Sequence, residues 1–136
     1  MRADYLDASA IVKLVKHERE TPALREYLRQ SASQGLGALF SSRLGAVEVM
    51  RSVRRQSPSL VDRAREVLSG IHLVGVTEEL LDHAGRIPPA DLRALDAIHL
   101  ATAAKESSVL RHAVVYDTRL AAASRDQRLV VVAPGA

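Results

Sequence analysis

The strongest constraint on this chain is an alternation of short apolar runs with helix-patterned segments, together with the acids that close or interrupt them. Tyr5-Leu6 ends on Asp7 and Val114-Val115-Tyr116 ends on Asp117, so two strand-like runs each finish on a carboxylate. Glu48 and Asp96 fall inside helix-like runs, Leu44 to Met50 and Leu95 to Ala101. A carboxylate in apolar surroundings is costly unless it is paired, hydrogen-bonded or bound to a metal. These four residues therefore lead toward function.

The alternation runs the length of the chain. Residues 3 to 7 predict a strand, and Ser9 to Lys16 a helix with Ser9 near its start. A helix from Thr21 toward Ser31, with Pro22 in its first turn, is followed by Gly35-Leu36-Gly37 and a strand at Ala38 to Ser41. Arg43 to Arg55 has helical spacing, and Ser57-Pro58 turns into another helix ending near Ser69-Gly70. Ile71 to Val76 predicts a third strand, then a helix capped by Thr77. Pro88-Pro89 breaks the chain, and Asp91 is the expected cap of the helix that carries Asp96. Ala113 to Tyr116 and Leu129 to Ala133 are the last strands, separated by a short helix around Arg119 to Ser124.

Such an order favours an α/β domain with a mostly parallel sheet covered by helices on both faces. In open sheets of this kind, ligands bind beyond the carboxyl ends of the strands, where the strand order reverses. Asp7 and Asp117 both lie at such ends. A length of 136 residues, 47% hydrophobic and 26% charged, fits one domain over residues 1–136. There is no internal repeat and no linker long enough to separate two units.

A net charge of +3 and a sequence pI near 9.7 permit a polyanionic partner. The absence of cysteine excludes disulfide frameworks and thiolate metal sites. Asp4, Asp7, Lys13 and Lys16 interrupt any signal-peptide core, and no apolar run reaches the roughly 20 residues that span a bilayer. The expectation is a soluble protein of the cytoplasm.

Each acid also has an ordinary structural explanation. Asp7 and Asp117 stand where helix caps stand. Glu48 has Arg51 and Ser52 within one helical turn. Asp96 is harder to place on a solvated face, because Leu92, Leu95, Ile98, Leu100, Ala101 and Ala104 surround it in sequence, although an acid in a first turn is favourable. Together, however, carboxylates at one sheet edge supply hard oxygen ligands for Mg²⁺ or Mn²⁺. Such an ion can activate water and stabilise the leaving oxygen in phosphodiester hydrolysis. Without metal the acids repel, so at least one carboxyl should titrate high.

Tyr5-Leu6-Asp7-Ala8-Ser9-Ala10, Ser41-Ser42-Arg43-Leu44 leading to Val47-Glu48-Val49-Met50-Arg51, Leu95-Asp96-Ala97-Ile98-His99-Leu100-Ala101, and Val115-Tyr116-Asp117-Thr118-Arg119-Leu120 resemble the successive motifs of PIN domains. In order, spacing and length they are most similar to VapC-type toxins of bacterial toxin–antitoxin pairs. The resemblance implies a three-layer α/β/α fold and a divalent-metal-dependent ribonuclease, usually a homodimer, held inactive by a VapB-type antitoxin. It implies that Asp7, Glu48, Asp96 and Asp117 hold Mg²⁺ or Mn²⁺ and position the attacking water. Ser9 matches a hydroxyl position that supports the first acid, with a helix cap as its alternative role. The chain departs from the pattern at Ala8 and Val115, where relatives often carry hydroxyls, and at Asp126-Gln127-Arg128, where they often have glycine.

Arg51 and Arg55 share roughly the helix face of Glu48 and are candidates for RNA phosphate contacts, whereas Arg54 reads equally well as part of a solvated basic face. Lys13, Lys16 and Arg19 raise the same question near Asp7. Aromatic residues are only 3% of the chain, which disfavours a base-stacking platform. The histidines lack zinc-type spacing, and His99 reads as a core or groove-wall residue. No phosphate-binding loop, dinucleotide fingerprint or nucleophile elbow is present. A receiver domain would need an acceptor Asp after a middle strand and a lysine after a late one, and neither stands there. The remaining alternative is a PIN-like module that binds a protein or nucleic acid without turnover. It gives no reason to keep four repelling acids.

Overall fold

The computed structural model describes residues 2–136. Five strands, β1 (Ala3–Leu6), β2 (Ala38–Ser42), β3 (His72–Val74), β4 (Leu110–Val114) and β5 (Val131–Val132), form one sheet in the order β3-β2-β1-β4-β5. Every neighbouring pair is parallel. The connecting helices are α1 (Ala8–Val15), α2 (Thr21–Ser33), α3 (Arg43–Gln56), α4 (Val61–Ser69), α5 (Glu78–Arg86), α6 (Ala94–Lys105) and α7 (Thr118–Asp126). A short 3-10 turn, Pro58–Leu60, precedes α4.

Alternation along the strands assigns the layers, since successive side chains face opposite sides. Leu6 and Val114 join Ile11, Val15, Leu24, Val49, Val53 and Ala64, which places α1 to α4 on one face. Ala113 and Val115 join Leu80, Ala84, Ile98, Leu100, Leu120 and Ala123, from α5, α6 and α7, on the other. This is the three-layer α/β/α arrangement that the alternation predicts. Helix α6 is nearly buried from Ala97 to Ala103, which explains why its apolar residues leave no clean polar stripe.

The termini of the elements differ from the sequence expectation in instructive ways. Asp7 caps α1, the structural role its position predicts, with its carboxylate accepting the Ala10 N–H at 2.9 Å; Ser9, the alternative cap, does not. Thr77 caps α5 as expected, its hydroxyl accepting the Leu80 N–H at 3.1 Å. Asp91 does not cap α6: Pro89 O accepts the Leu92 N–H at 3.1 Å, so Asp91 is absorbed in a turn. Arg93 takes the cap position in an extended conformation, with no side-chain acceptor. The third strand is three residues rather than six and the last only two, because both sit at sheet edges and pair on one side.

Strand β4 contains one extra residue relative to β1. Ala3 stands opposite Leu110, yet Tyr5 stands opposite Ala113. The irregularity meets Asp4, which is fully buried and accepts the His112 backbone N–H at 3.2 Å and the Arg111 guanidinium at 2.9 and 2.7 Å. A bulge normally strands a backbone donor, and here a carboxylate receives it. Tyr27 from α2 donates to the same carboxylate at 2.7 Å, tying the helix to this end of the sheet.

Candidate active site

The strand order reverses between β1 and β4, with β2 and β3 extending to one side and β5 to the other. Asp7 follows β1 directly and Asp117 lies three residues beyond β4, so both arrive at the crevice where this topology receives ligands. Each is also a helix N-cap. Asp117 accepts the Leu120 N–H at 2.9 Å at the start of α7. The capping and site interpretations therefore do not compete: a cap fixes a carboxylate in place and leaves it spare lone pairs.

Asp7 is 3% exposed. Ser9 Oγ lies 2.8 and 2.9 Å from its two carboxylate oxygens, so one hydroxyl proton is shared across both. Burial pushes the Asp7 carboxyl up to about 6, the hydrogen bonds from Ala10 and Ser9 pull it back, His99 lowers it further and the Asp117 charge raises it. Asp96, half-buried in the first turn of α6, is also raised, first by burial and next by Asp117, with a smaller push from Glu48. Repulsion among the acids is present as anticipated, but loss of water is the larger cause.

Glu48 does not pair with Arg51 or Ser52. Its Oε1 lies 2.6 Å from His99 Nε2, and His99 Nδ1 lies 2.5 Å from the Tyr5 hydroxyl. A carboxylate only accepts, so Nε2 donates to Glu48; when the ring is neutral, Nδ1 accepts from Tyr5, whose phenol burial holds in the protonated form. The Tyr5 ring meets Phe40 edge-on at 5.2 Å and His99 edge-on at 5.8 Å. Gly45 makes the approach possible, because a Cβ there would stand 2.8 Å from His99 Cε1. His99 is thus a core residue, as its apolar surroundings imply, but one in contact with an acid of the crevice. Its position three residues after Asp96, on the same helix face, was the signal available in the sequence.

Beside Glu48, the exposed side chains of Arg51, Arg54, Arg55 and Arg93 line a groove of ≈ 740 Å³ that Leu95 also borders. Arg54 belongs to it as much as Arg51 and Arg55. Arg93 was not singled out from sequence, although it stands one helical turn before Asp96. Lys13 is not available to a ligand in the same way: it is held by Glu18 at 3.2 Å and Glu20 at 3.1 Å, above the Tyr116 ring.

The four acids offer only carboxylate oxygens, the donor chemistry of Mg²⁺ or Mn²⁺. Among the described residues no three His, Asp or Glu side chains stand close enough to enclose an ion by themselves. An all-carboxylate donor set lacks the Cys and His ligands of a closed zinc site.

The family model for the PIN domain matches residues 5–128, a span that contains all four acids. The chain belongs to the PIN domain family. Ribonuclease VapC47 of Mycobacterium tuberculosis (strain CDC 1551 / Oshkosh) is 44% identical over 133 residues, covering 97% of this chain and 97% of the relative. At that identity and coverage this is a VapC-type PIN domain. Two crystal structures share the fold. The Mycobacterium tuberculosis toxin VapC20, described as cleaving the sarcin-ricin loop, matches with a TM-score of 0.74 at 16% identity, covering 96% of this chain and 99% of that one. VapBC2 from Rickettsia felis, bound to a DNA fragment from its promoter, matches with a TM-score of 0.69 at 12% identity over 97% and 98% of the two chains. The PIN domain seen here has no helix long and apolar enough to cross a membrane, among the described residues.

Proposed function

We propose that this chain is the toxin of a VapB–VapC pair, an endoribonuclease that hydrolyses RNA phosphodiester bonds with Mg²⁺ or Mn²⁺ held by Asp7, Glu48, Asp96 and Asp117. The observation that carries the reading is electrostatic: at the reversal of strand order the Asp117 charge, after β4, raises the carboxyls of both Asp7, after β1, and Asp96, on α6, on top of the effect of their burial. Uncompensated negative charge in a crevice favours a cation. A bound Mg²⁺ or Mn²⁺ would supply Lewis-acid chemistry there, the kind that activates water and offsets charge on a leaving oxygen.

The residues of this chain do the rest. Ser9 and the Ala10 N–H hold the Asp7 carboxylate in one orientation. The Leu120 N–H does the same for Asp117. Arg51, Arg54, Arg55 and Arg93 face the groove beside Glu48 and bind the RNA backbone. The identity to a curated ribonuclease supports the activity, and the shared fold with a VapBC complex supports a VapB-type antitoxin partner. A homodimer is the family expectation and forms part of the proposal.

The deciding experiment is RNA cleavage by wild type and Asp96→Asn, with Mg²⁺ and with a chelator, after any copurifying partner protein is removed. Cutting that needs metal and disappears in the variant is expected. Cutting that survives chelation, or is undiminished in Asp96→Asn, overturns the reading.

A further inference from the structure

We propose that His99, held from behind by Tyr5, is the positioning residue of Glu48: the buried Tyr5–His99 pair aims the glutamate into the acid site. The inference rests on the reading that Glu48 belongs to that site. Glu48 is the acid most in need of such support. Asp7 and Asp117 are fixed by backbone N–H groups of the helices they cap, and Asp96 is on a short side chain in the first turn of α6. Glu48 lies mid-helix on α3, with its side chain 28% exposed and more rotatable bonds than an aspartate. Among the described residues, its only side-chain hydrogen bond is to His99.

His99 is built to hold still. Its side chain is 4% exposed, and both ring nitrogens are engaged, one by Glu48 at 2.6 Å and the other by Tyr5 at 2.5 Å. Tyr5 is 1% exposed and wedged edge-on against Phe40. On the ring's edge, Gly45 lets α3 lie against Cε1, and Gly45 is one helical turn before Glu48 on the same face. The glycine brings the helix to the imidazole, and the imidazole then takes one carboxylate oxygen of the residue one turn along. Oε1 is committed to His99, so Oε2 is the oxygen free to serve the site. Outer hydrogen bonds of this kind orient carboxylates that act on metals.

A double-mutant cycle tests this, read by Mn²⁺ affinity in calorimetry and by cleavage kinetics, with thermal melts reporting the fold. Glu48→Gln and His99→Phe are made singly and together, with His99→Gln as the variant that retains an N–H donor. The expected result is a loss of about tenfold to a hundredfold in Mn²⁺ affinity or kcat for His99→Phe, with KM for RNA little changed, and partial recovery in His99→Gln. In the Glu48→Gln background, His99→Phe should cost nothing further. Additive losses overturn the proposal, because His99 would then act other than through Glu48. If His99→Phe does not fold, Tyr5→Phe decides: it removes only the rear hydrogen bond, a loss in the same direction is expected, and wild-type affinity and rate overturn the proposal. Impairment in Glu48→Gln without impairment in a folded His99→Phe overturns the His99 role alone. Wild-type behaviour in Glu48→Gln overturns the acid-site reading and this role together.

Discussion

His99 Nε2 and Glu48 Oε1 lie 2.6 Å apart across 51 positions of sequence, joining α6 to α3 at the rim of the acid crevice. The contact depends on how closely the two helices approach. Only glycine at position 45 permits it, and this yields the first prediction. Gly45→Ala should gain helix propensity, up to about 1 kcal/mol, yet lose more by overpacking, roughly 1–3 kcal/mol, because the ring it strikes is pinned at both nitrogens. Urea denaturation should show net destabilisation, together with a drop in cleavage. A more stable, fully active variant would mean the ring yields freely.

The second prediction concerns pH. The folded pKa of Asp7 is raised from 3.8 to about 6, so the fold favours its neutral form. Its contribution to stability is fully present below the unfolded pKa and is lost as pH rises through about 6, an effect on the order of 3 kcal/mol. Denaturation of the metal-free protein between pH 4 and pH 7.5 should therefore show wild type losing stability relative to Asp7→Asn, whose amide oxygen still caps α1. Parallel curves for the two proteins would show that Asp7 ionises without strain.

Metal should reverse that penalty. Mn²⁺ or Mg²⁺ at millimolar concentration is expected to raise the melting temperature of wild type by binding the native state alone, and more at pH 7 than at pH 5 because Asp7 must release its proton. Asp96→Asn should blunt the shift while leaving the metal-free protein as stable as wild type or slightly more so, since its carboxyl is raised by burial and by Asp117. Identical melts with and without metal would count against the site.

The arginine groove makes a prediction of a different kind. Replacing Arg55 or Arg93 by alanine should weaken RNA binding about equally for unrelated sequences and reduce the slope of log affinity against log salt by about 1. Binding measured by fluorescence anisotropy from low to moderate salt reads this directly. An unchanged slope would remove that arginine from the phosphate path.

At the opposite end of β1, Arg111→Met leaves Asp4 buried without its guanidinium. The expected loss is about 3–5 kcal/mol, measurable by urea denaturation, because an uncompensated buried charge remains. The double variant Asp4→Asn with Arg111→Met should recover much of it. A loss below about 1 kcal/mol would show that Tyr27 and the His112 N–H suffice.

The layer architecture and the placement of Asp7 and Asp117 beyond strand ends were legible in the sequence because both depend on local pattern. Strand-like runs ending on Asp7 and Asp117, and the strand–helix order, required no knowledge of the sheet. What escaped was non-local. Asp91 has the residue type of a cap, but the proline turn before it decided where α6 begins. Glu48 has Arg51 nearby in sequence, yet its partner is His99, brought there by a glycine whose reason lies on another helix. Arg93 joins the groove only because α6 packs near α3. Ser9 was legible as support for Asp7, although the capping role fell to the acid itself.

The extra residue in β4 sets a spacing as well as satisfying a buried acid. Without it, His112 rather than Ala113 would stand opposite Tyr5, and the strand would run one residue, roughly 3.3 Å, further past Leu6. Asp117 would be carried away from Asp7 by that distance, and the side chains of Ala113 to Val115 would exchange faces. The bulge is a shim: its thickness of one residue, clamped by Asp4 and Arg111 at the far end of the sheet, gauges the gap between two carboxylates that it never touches.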